Sequence, residues 1–195
     1  MLVFGTEFRL SLEIGNKDIH YHLVEAAKRY DQGAQFELYN LYVKAMLNVS
    51  FRIVNDRDEA EDVIQDAFVN VFKNIDKYRG ESTFGAWVKR IVINASINVL
   101  KKKKLDLVDM DQAGGEIDES FVEDEESLSL PAIKSAIMQL PEGFRAVLSL
   151  YLLEGYDHKE IGTVLGITES TSKSQFNRAK KKLREILKER YQYER

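Results

Sequence analysis

Apolar positions repeat at helix spacing over most of this chain. From Asp56 to Ile75 they fall at Ala60, Val63, Ile64, Ala67, Phe68, Val71, Phe72 and Ile75, the steps of three and four that line one helix face. Gly80 punctuates the pattern. Ser82 is then placed to cap a second helix from about Thr83 to Lys101, with Phe84, Trp87, Val88, Ile91 and Ala95 turned inward. Upstream, residues 30–54 carry one or two further helices. Downstream, Pro131 suits a helix first turn and Leu140-Pro141 marks a break. Ala146 to Leu153 forms another helix, ended by Glu154-Gly155-Tyr156. The stretch "FRLSLEI" alternates apolar and polar residues, which is a strand signal. No second strand pattern pairs with it, so residues 1–29 are an N-terminal extension of unassigned structure. The predicted fold class is all-α, in two small helical domains.

The last part of the chain carries a more specific arrangement. Asp157-His158-Lys159-Glu160 has capping-box form, an acceptor followed three residues later by a glutamate. Ile161, Val164 and Leu165 give the short helix its apolar face, and Gly166 supplies the positive φ that ends it. Thr168 caps a second helix starting near Glu169. A short helix, a glycine turn and a second helix make a helix-turn-helix. In DNA-binding versions the second helix enters the major groove, N-terminal end first. On a wheel of 3.6 residues per turn, Phe176, Ala179, Leu183 and Leu187 share one side, while Ser170, Ser174, Asn177, Arg178 and Lys181 lie opposite. That polar set combines residues that read base edges with residues that hold phosphates. A solvated surface helix produces the same pattern, so this motif alone leaves both readings open.

Composition first argues against a nucleic-acid partner and then, by segment, for one. The 195 residues carry a net charge of −4. Residues 105–130 hold ten acids and no base, whereas residues 30–104 hold ten acids and twelve bases and residues 131–195 eight acids and twelve bases. One acidic stretch therefore hides two mildly basic flanks. That stretch has a Gly-Gly pair and few large apolar residues, too little to offset its ordering entropy, and reads as an extended flexible linker. It serves either as a solvated loop or as an anionic strand lying in a basic channel of a partner. There is no cysteine, which excludes disulfides, thiolate metal sites and a cysteine nucleophile. Three histidines leave little material for a metal site. Residues 1–14 lack the basic start and apolar block of a signal peptide, and no apolar run approaches the roughly 18 residues that span a membrane. The expected location is cytoplasmic.

Three stretches in order, "DRDEAEDVIQDAFVNVFKNI", "YRGESTFGAWVKRIVINASIN" and "DHKEIGTVLGITESTSKSQFNRAKKKL", resemble the extracytoplasmic-function group of bacterial sigma factors. The likeness covers about residues 30–190. It implies a sigma region 2-like domain at 30–104, which binds core RNA polymerase and melts the proximal promoter element, and a region 4-like domain at 131–195, which reads the distal element. By the same likeness, Asp58, Asp62, Gln65, Asp66 and Val69 bind polymerase. An exposed valine on an acidic surface is also an ordinary occurrence. Ringed by charges, however, it fits an apolar contact that steers a basic partner helix pair. The likeness further implies that Lys89, Arg90, Asn94 and Lys101 touch the melted strand, where cations can hold a backbone and an amide can read a flipped base. Trp87 has the phase of a core residue. Ser170, Thr171, Lys173, Ser174, Asn177, Arg178 and Lys181 contact the distal element. The family also implies promoter DNA and an anti-sigma factor as partners, no catalytic residues, no cofactor or metal, and no small-molecule substrate.

The chain departs from the family pattern at four places. Gly162 stands where alanine is usual. Ser172 points inward where an aliphatic is common, and this serine is expected to loosen the recognition helix. Gln175 replaces a common arginine and Asn98 a common aspartate. Two other functions compete with the sigma reading. One is a stand-alone helix-turn-helix regulator with an N-terminal dimerisation or sensing domain, binding duplex DNA as a two-fold dimer. The other is a metal-dependent hydrolase using the acids from Asp56 to Asp66, which lacks a neighbouring nucleophile, phosphate loop or histidine set.

Overall fold

The computed structural model describes residues 19–105 and 129–193. The strand signal at residues 8–14 and most of the acidic linker lie outside the described residues. Those described are all-α: α1 (Tyr21–Lys28), α2 (Gln32–Val54), α3 (Arg57–Lys73), a 3-10 turn (Ile75–Lys77), α4 (Phe84–Leu105), α5 (Leu130–Met138), α6 (Glu142–Leu152), α7 (His158–Leu165) and α8 (Glu169–Tyr193). No helix among them is long and apolar enough to cross a membrane.

The chain divides into two compact units. The first takes in residues up to Ser50 and Asp58–Ala95; the second takes in Phe51–Arg57 and Ser96 onward. In the first unit the predicted face of α3 is buried through Ala60, Val63, Ile64, Ala67, Phe68 and Val71. Val24 and Ala27 of α1 and Leu38, Met46 and Val49 of α2 are buried in the same unit. Each large aliphatic so buried contributes about 1.5–3 kcal/mol. Aromatic edges hold the entry to α4: Phe84 meets Tyr78 at 5.4 Å and Tyr42 at 5.7 Å between ring centroids. The Tyr78 hydroxyl donates to Ser82 O at 2.7 Å and so fixes the loop before α4.

Three expectations are corrected here. Thr83, not Ser82, caps α4: its Oγ1 accepts from Ala86 N at 3.2 Å. Both residues carry a hydroxyl, and the loop bond from Tyr78 engages the Ser82 carbonyl. The inward side of α4 is also wider than the expected stripe. Ile91 and Ala95 are only half-buried, whereas Val92, Ile93, Ser96, Ile97 and Leu100 are buried. Finally, α6 begins at Glu142, directly after Pro141, and not at Ala146.

In the second unit Ile137, Leu140, Leu148 and Ala179 form a buried cluster, flanked by Ile133, Phe144, Phe176, Leu183 and Ile186. Arg145 is buried beside it and donates to three carbonyls: Leu140 O at 2.9 Å, Arg52 O at 3.2 Å and Ile53 O at 3.5 Å. The last carbonyls of a helix lack intrahelical donors, and a guanidinium is the side chain that can serve several at once. Burial pushes the Arg145 pKa below its usual value, offset in part by the Glu142 carboxylate. Arg52 in turn pairs with Glu154 at 2.6 Å.

Residues 20–30 form a helical turn and cap that periodicity had left unassigned. Asp31 N donates to Ala26 O and Tyr30 N to Ala27 O, a Schellman ending that places Tyr30 at φ 63°. A left-handed conformation costs a side-chain-bearing residue about 1–2 kcal/mol, and Tyr30, 75% exposed, recovers little of this by packing. Tyr30→Gly is expected to raise stability by about 0.5–1 kcal/mol after the entropy of the more flexible unfolded chain is subtracted. Thermal unfolding of the full chain checks this, with an expected rise of a few degrees.

Candidate nucleic-acid interface

The helix-turn-helix is set by local chemistry at each corner. Asp157 Oδ1 accepts from Glu160 N at 2.7 Å, and Glu160 Oε2 accepts from Asp157 N at 2.8 Å, closing the capping box on α7. Gly166 ends α7 at φ 73°, and its N–H donates to Gly162 O at 2.9 Å. Thr168 Oγ1 accepts from Thr171 N at 3.0 Å and caps α8, a bond worth about 1 kcal/mol.

Gly162 is required for a different reason. A Cβ there would lie 2.8 Å from Ile167 O, a backbone atom of the turn itself. The turn closes more tightly than an alanine permits, which gives the departure at this position a physical cause.

The structure places the distal-element set as follows. Ser170, Lys173, Ser174, Asn177 and Lys181 are exposed; Thr171 and Arg178 are half-buried. Ser170, Ser174, Asn177 and Lys181 follow each other at steps of four, three and four along one line of α8. Thr171 turns its hydroxyl to Thr168, at 2.8 Å. Lys173 pairs with Glu169 at 2.6 Å, and that bond holds the Glu169 carboxyl below its usual pKa. On the reverse side Ala179 is buried, and Phe176, Leu183 and Leu187 are half-buried. An exposed polar line and a core-facing line thus share one helix.

Ser172 does not loosen that helix, contrary to expectation. Its hydroxyl is buried and lies 2.9 Å from His158 Nδ1. The His158 ring stacks on Tyr151 at 4.5 Å and 16°, and meets Phe176 edge-on at 5.6 Å. Tyr151 and Phe176 are themselves 4.5 Å apart. The sequence reading missed this cluster, because its members come from α6, α7 and α8. The one available signal was the inward phase of Ser172, which implied that a buried hydroxyl needed a partner.

On α4, Arg90, Asn94, Asn98 and Lys101 are exposed at steps of four, four and three, a narrow strip between buried flanks. Lys89 is half-buried beside it. Trp87 is half-buried against Tyr78 and Phe84, at 5.6 and 5.7 Å, in agreement with its core phase. On α3, Asp58, Asp62, Gln65 and Asp66 are all exposed, and Val69 is 52% exposed among them. No group of three or more metal-ligating side chains comes together among the described residues.

The family described as Sigma-70 region 2 matches residues 38–105, and the family described as Sigma-70, region 4 matches residues 130–183. The chain is 31% identical over 179 residues to the RNA polymerase sigma-H factor of Pseudomonas aeruginosa, covering 85% of this chain and 92% of that protein. It is 28% identical over 178 residues to the ECF RNA polymerase sigma factor SigW of Bacillus subtilis, covering 85% and 95%. Its fold resembles the sigma factor RpoE of Bartonella quintana, solved with the anti-sigma factor NepR. There the TM-score is 0.51 and the identity 24%, over 78% of this chain and 95% of that one.

Gly162→Ala gains helix propensity of about 1 kcal/mol but forces a methyl against the Ile167 carbonyl, an overpacking that costs about 1–3 kcal/mol. The expected net result is a loss of up to about 2 kcal/mol, read as a lower midpoint in thermal or urea unfolding.

Proposed function

From one premise, that this chain belongs to the extracytoplasmic-function group of sigma-70 factors and is an RNA polymerase sigma factor, we infer which surfaces do the work. Residues 30–104 act as the region 2-like domain and residues 131–195 as the region 4-like domain, joined by the acidic linker at 105–130. Core polymerase docks on α3 through Val69, ringed by Asp58, Asp62, Gln65 and Asp66. An apolar centre with a charged rim gives affinity at the centre and orientation from the rim. The α4 strip of Arg90, Asn94 and Lys101, with Lys89 beside it, holds the unpaired strand of the proximal element. Its cations follow the phosphates and the amide meets a base edge.

The distal element is read by α8. Ser170, Ser174 and Asn177 face base edges, while Lys173, Arg178 and Lys181 hold the backbone and Thr171 braces the first turn. The observation that carries this reading is the division of α8, polar and exposed along one line, apolar and packed along the other. Lys173 must exchange Glu169 for phosphate on binding, a small cost because the pair is exposed. The polymerase supplies the bond-making chemistry, so the chain has no catalytic residue and needs no cofactor. It acts in the cytoplasm, where polymerase and promoters are. An anti-sigma factor is a further partner, as in the RpoE complex with NepR.

Run-off transcription with purified core polymerase, on the DNA upstream of the chain's own coding sequence, tests the reading as a whole. Specific initiation is expected only when the chain is present. Duplex binding as a two-fold dimer without polymerase would favour a stand-alone regulator instead. Val69→Glu tests the docking surface. Core affinity is expected to fall about tenfold or more, since an unpaired charge enters the interface centre. The unfolding midpoint should stay nearly unchanged because Val69 is exposed. A large loss of stability would instead assign Val69 to the core.

A further inference from the structure

We propose that the hydrogen bond between Ser172 and His158 is a positioning device that fixes the rotation of α8 about its own axis and thereby sets which distal-element bases are selected. The inference rests on the reading of α8 as the distal-element helix.

Ser172, Phe176, Ala179 and Leu183 follow at steps of four, three and four along the packed side of α8. The exposed line of Ser170, Ser174, Asn177 and Lys181 keeps the same steps two residues earlier and so lies on the far side. Any rotation that moves one line moves the other through the same angle. With side-chain tips about 5–6 Å from the axis, a rotation of about 20° shifts them by about 2 Å. Hydrogen bonds to base edges tolerate only a few tenths of an ångström, so such a rotation exchanges one set of base contacts for another.

Apolar packing alone does not define that angle sharply. Ala179 offers one methyl, and Phe176 and Leu183 are only half-buried. Dispersion contacts also slide with little change in energy. A buried hydroxyl differs, because it is directional and costly to leave unmade. Ser172 has no exposure, and His158 Nδ1 stands 2.9 Å from its Oγ.

The imidazole is itself immobilised from three sides. His158 is the first residue of α7, directly after the Asp157 cap. Its face lies on Tyr151 of α6, nearly parallel at 16°, and Phe176 closes the edge. The bond therefore ties α8 to a ring that two other helices hold in place. Either neutral tautomer can complete it, since the serine hydroxyl both donates and accepts.

The experiment uses holoenzyme reconstituted from full-length chain and core polymerase. It transcribes a pool of promoters randomised across the distal element, and transcripts are sequenced against the input pool. Three variants are compared with the unaltered chain: Ser172→Val, His158→Phe and the double variant. Each single change should reduce enrichment of preferred over disfavoured distal sequences about tenfold, or shift the preferred bases. The double variant should lose no more than either single one, because both remove the same bond. It also leaves neither partner unsatisfied, so its unfolding midpoint should lie close to that of the unaltered chain, and it carries the test if a single variant folds poorly. Unchanged enrichment in the double variant overturns the proposal. So does a uniform drop in transcription from all promoters with preferences intact, which is what a merely structural bond would give. Absence of distal selection in the unaltered holoenzyme would instead overturn the assignment of α8 on which the proposal rests.

Discussion

Everything asked of the C-terminal helix depends on its having two sides that cannot trade places. One side must be buried well enough to hold a 25-residue helix on three shorter ones. The other must stay free and polar. The Tyr151, His158 and Phe176 rings meet this constraint at the point where α6, α7 and α8 converge. Aromatic pairs contribute about 0.5–1.5 kcal/mol beyond their buried area. Their larger effect here is geometric, because they give Ser172 a fixed partner. The capping box, Gly166 and the Thr168 cap then set where α8 starts, and the ring cluster sets how it is turned.

The same separation recurs in the first unit by other means. Along α3, Ala60, Val63, Ile64, Ala67, Phe68 and Val71 are buried, and Asp58, Asp62, Asp66 and Val69 lie on its exposed side. Along α4, burial extends so far around the helix that, among the described residues past its first turn, only Arg90, Asn94, Asn98, Lys101 and Lys102 are exposed. A wide core side leaves a narrow open side, which suits the single strand proposed for it. The charges agree with this assignment. Exposed acids gather on α3, while exposed cations lie on α4 and α8, as the proposed assignment requires.

Local signals were legible in the sequence, and tertiary ones were not. The acceptor at Asp157, the glycine at 166 and the hydroxyl at Thr168 act within a few residues of themselves, and each was found where the pattern placed it. Ser82 and Thr83 differ by one position and carry the same group, so only the loop closed by Tyr78 separates them. The stripe assigned to α4 was too narrow because amphipathic periodicity identifies a helix with one buried face, and this one is surrounded on more than one. α1 escaped notice because eight residues give barely two turns of periodicity. Ser172 was misjudged for the clearest reason. An inward hydroxyl destabilises only if unpartnered, and its partner lies fourteen residues away on another helix. Gly162 likewise depends on the Ile167 carbonyl, a contact that exists only after the turn has closed.

The small size of each surface explains why they are combined in one chain. A single DNA-binding module buries about 600–1,000 Å² of protein surface, and the line proposed for α8 is a surface of that class. In the proposed assignment the α4 strip engages an unpaired strand, so it gains nothing from duplex DNA. Neither surface needs to bind tightly alone. With α3 docked on polymerase as proposed, the remaining two contacts would become intramolecular and their effective concentrations would rise. Promoter choice then depends on both elements being present at the right spacing. A net charge of −4 is consistent with that proposed division, because it limits the chain's non-specific attraction for DNA and leaves promoter contact dependent on polymerase.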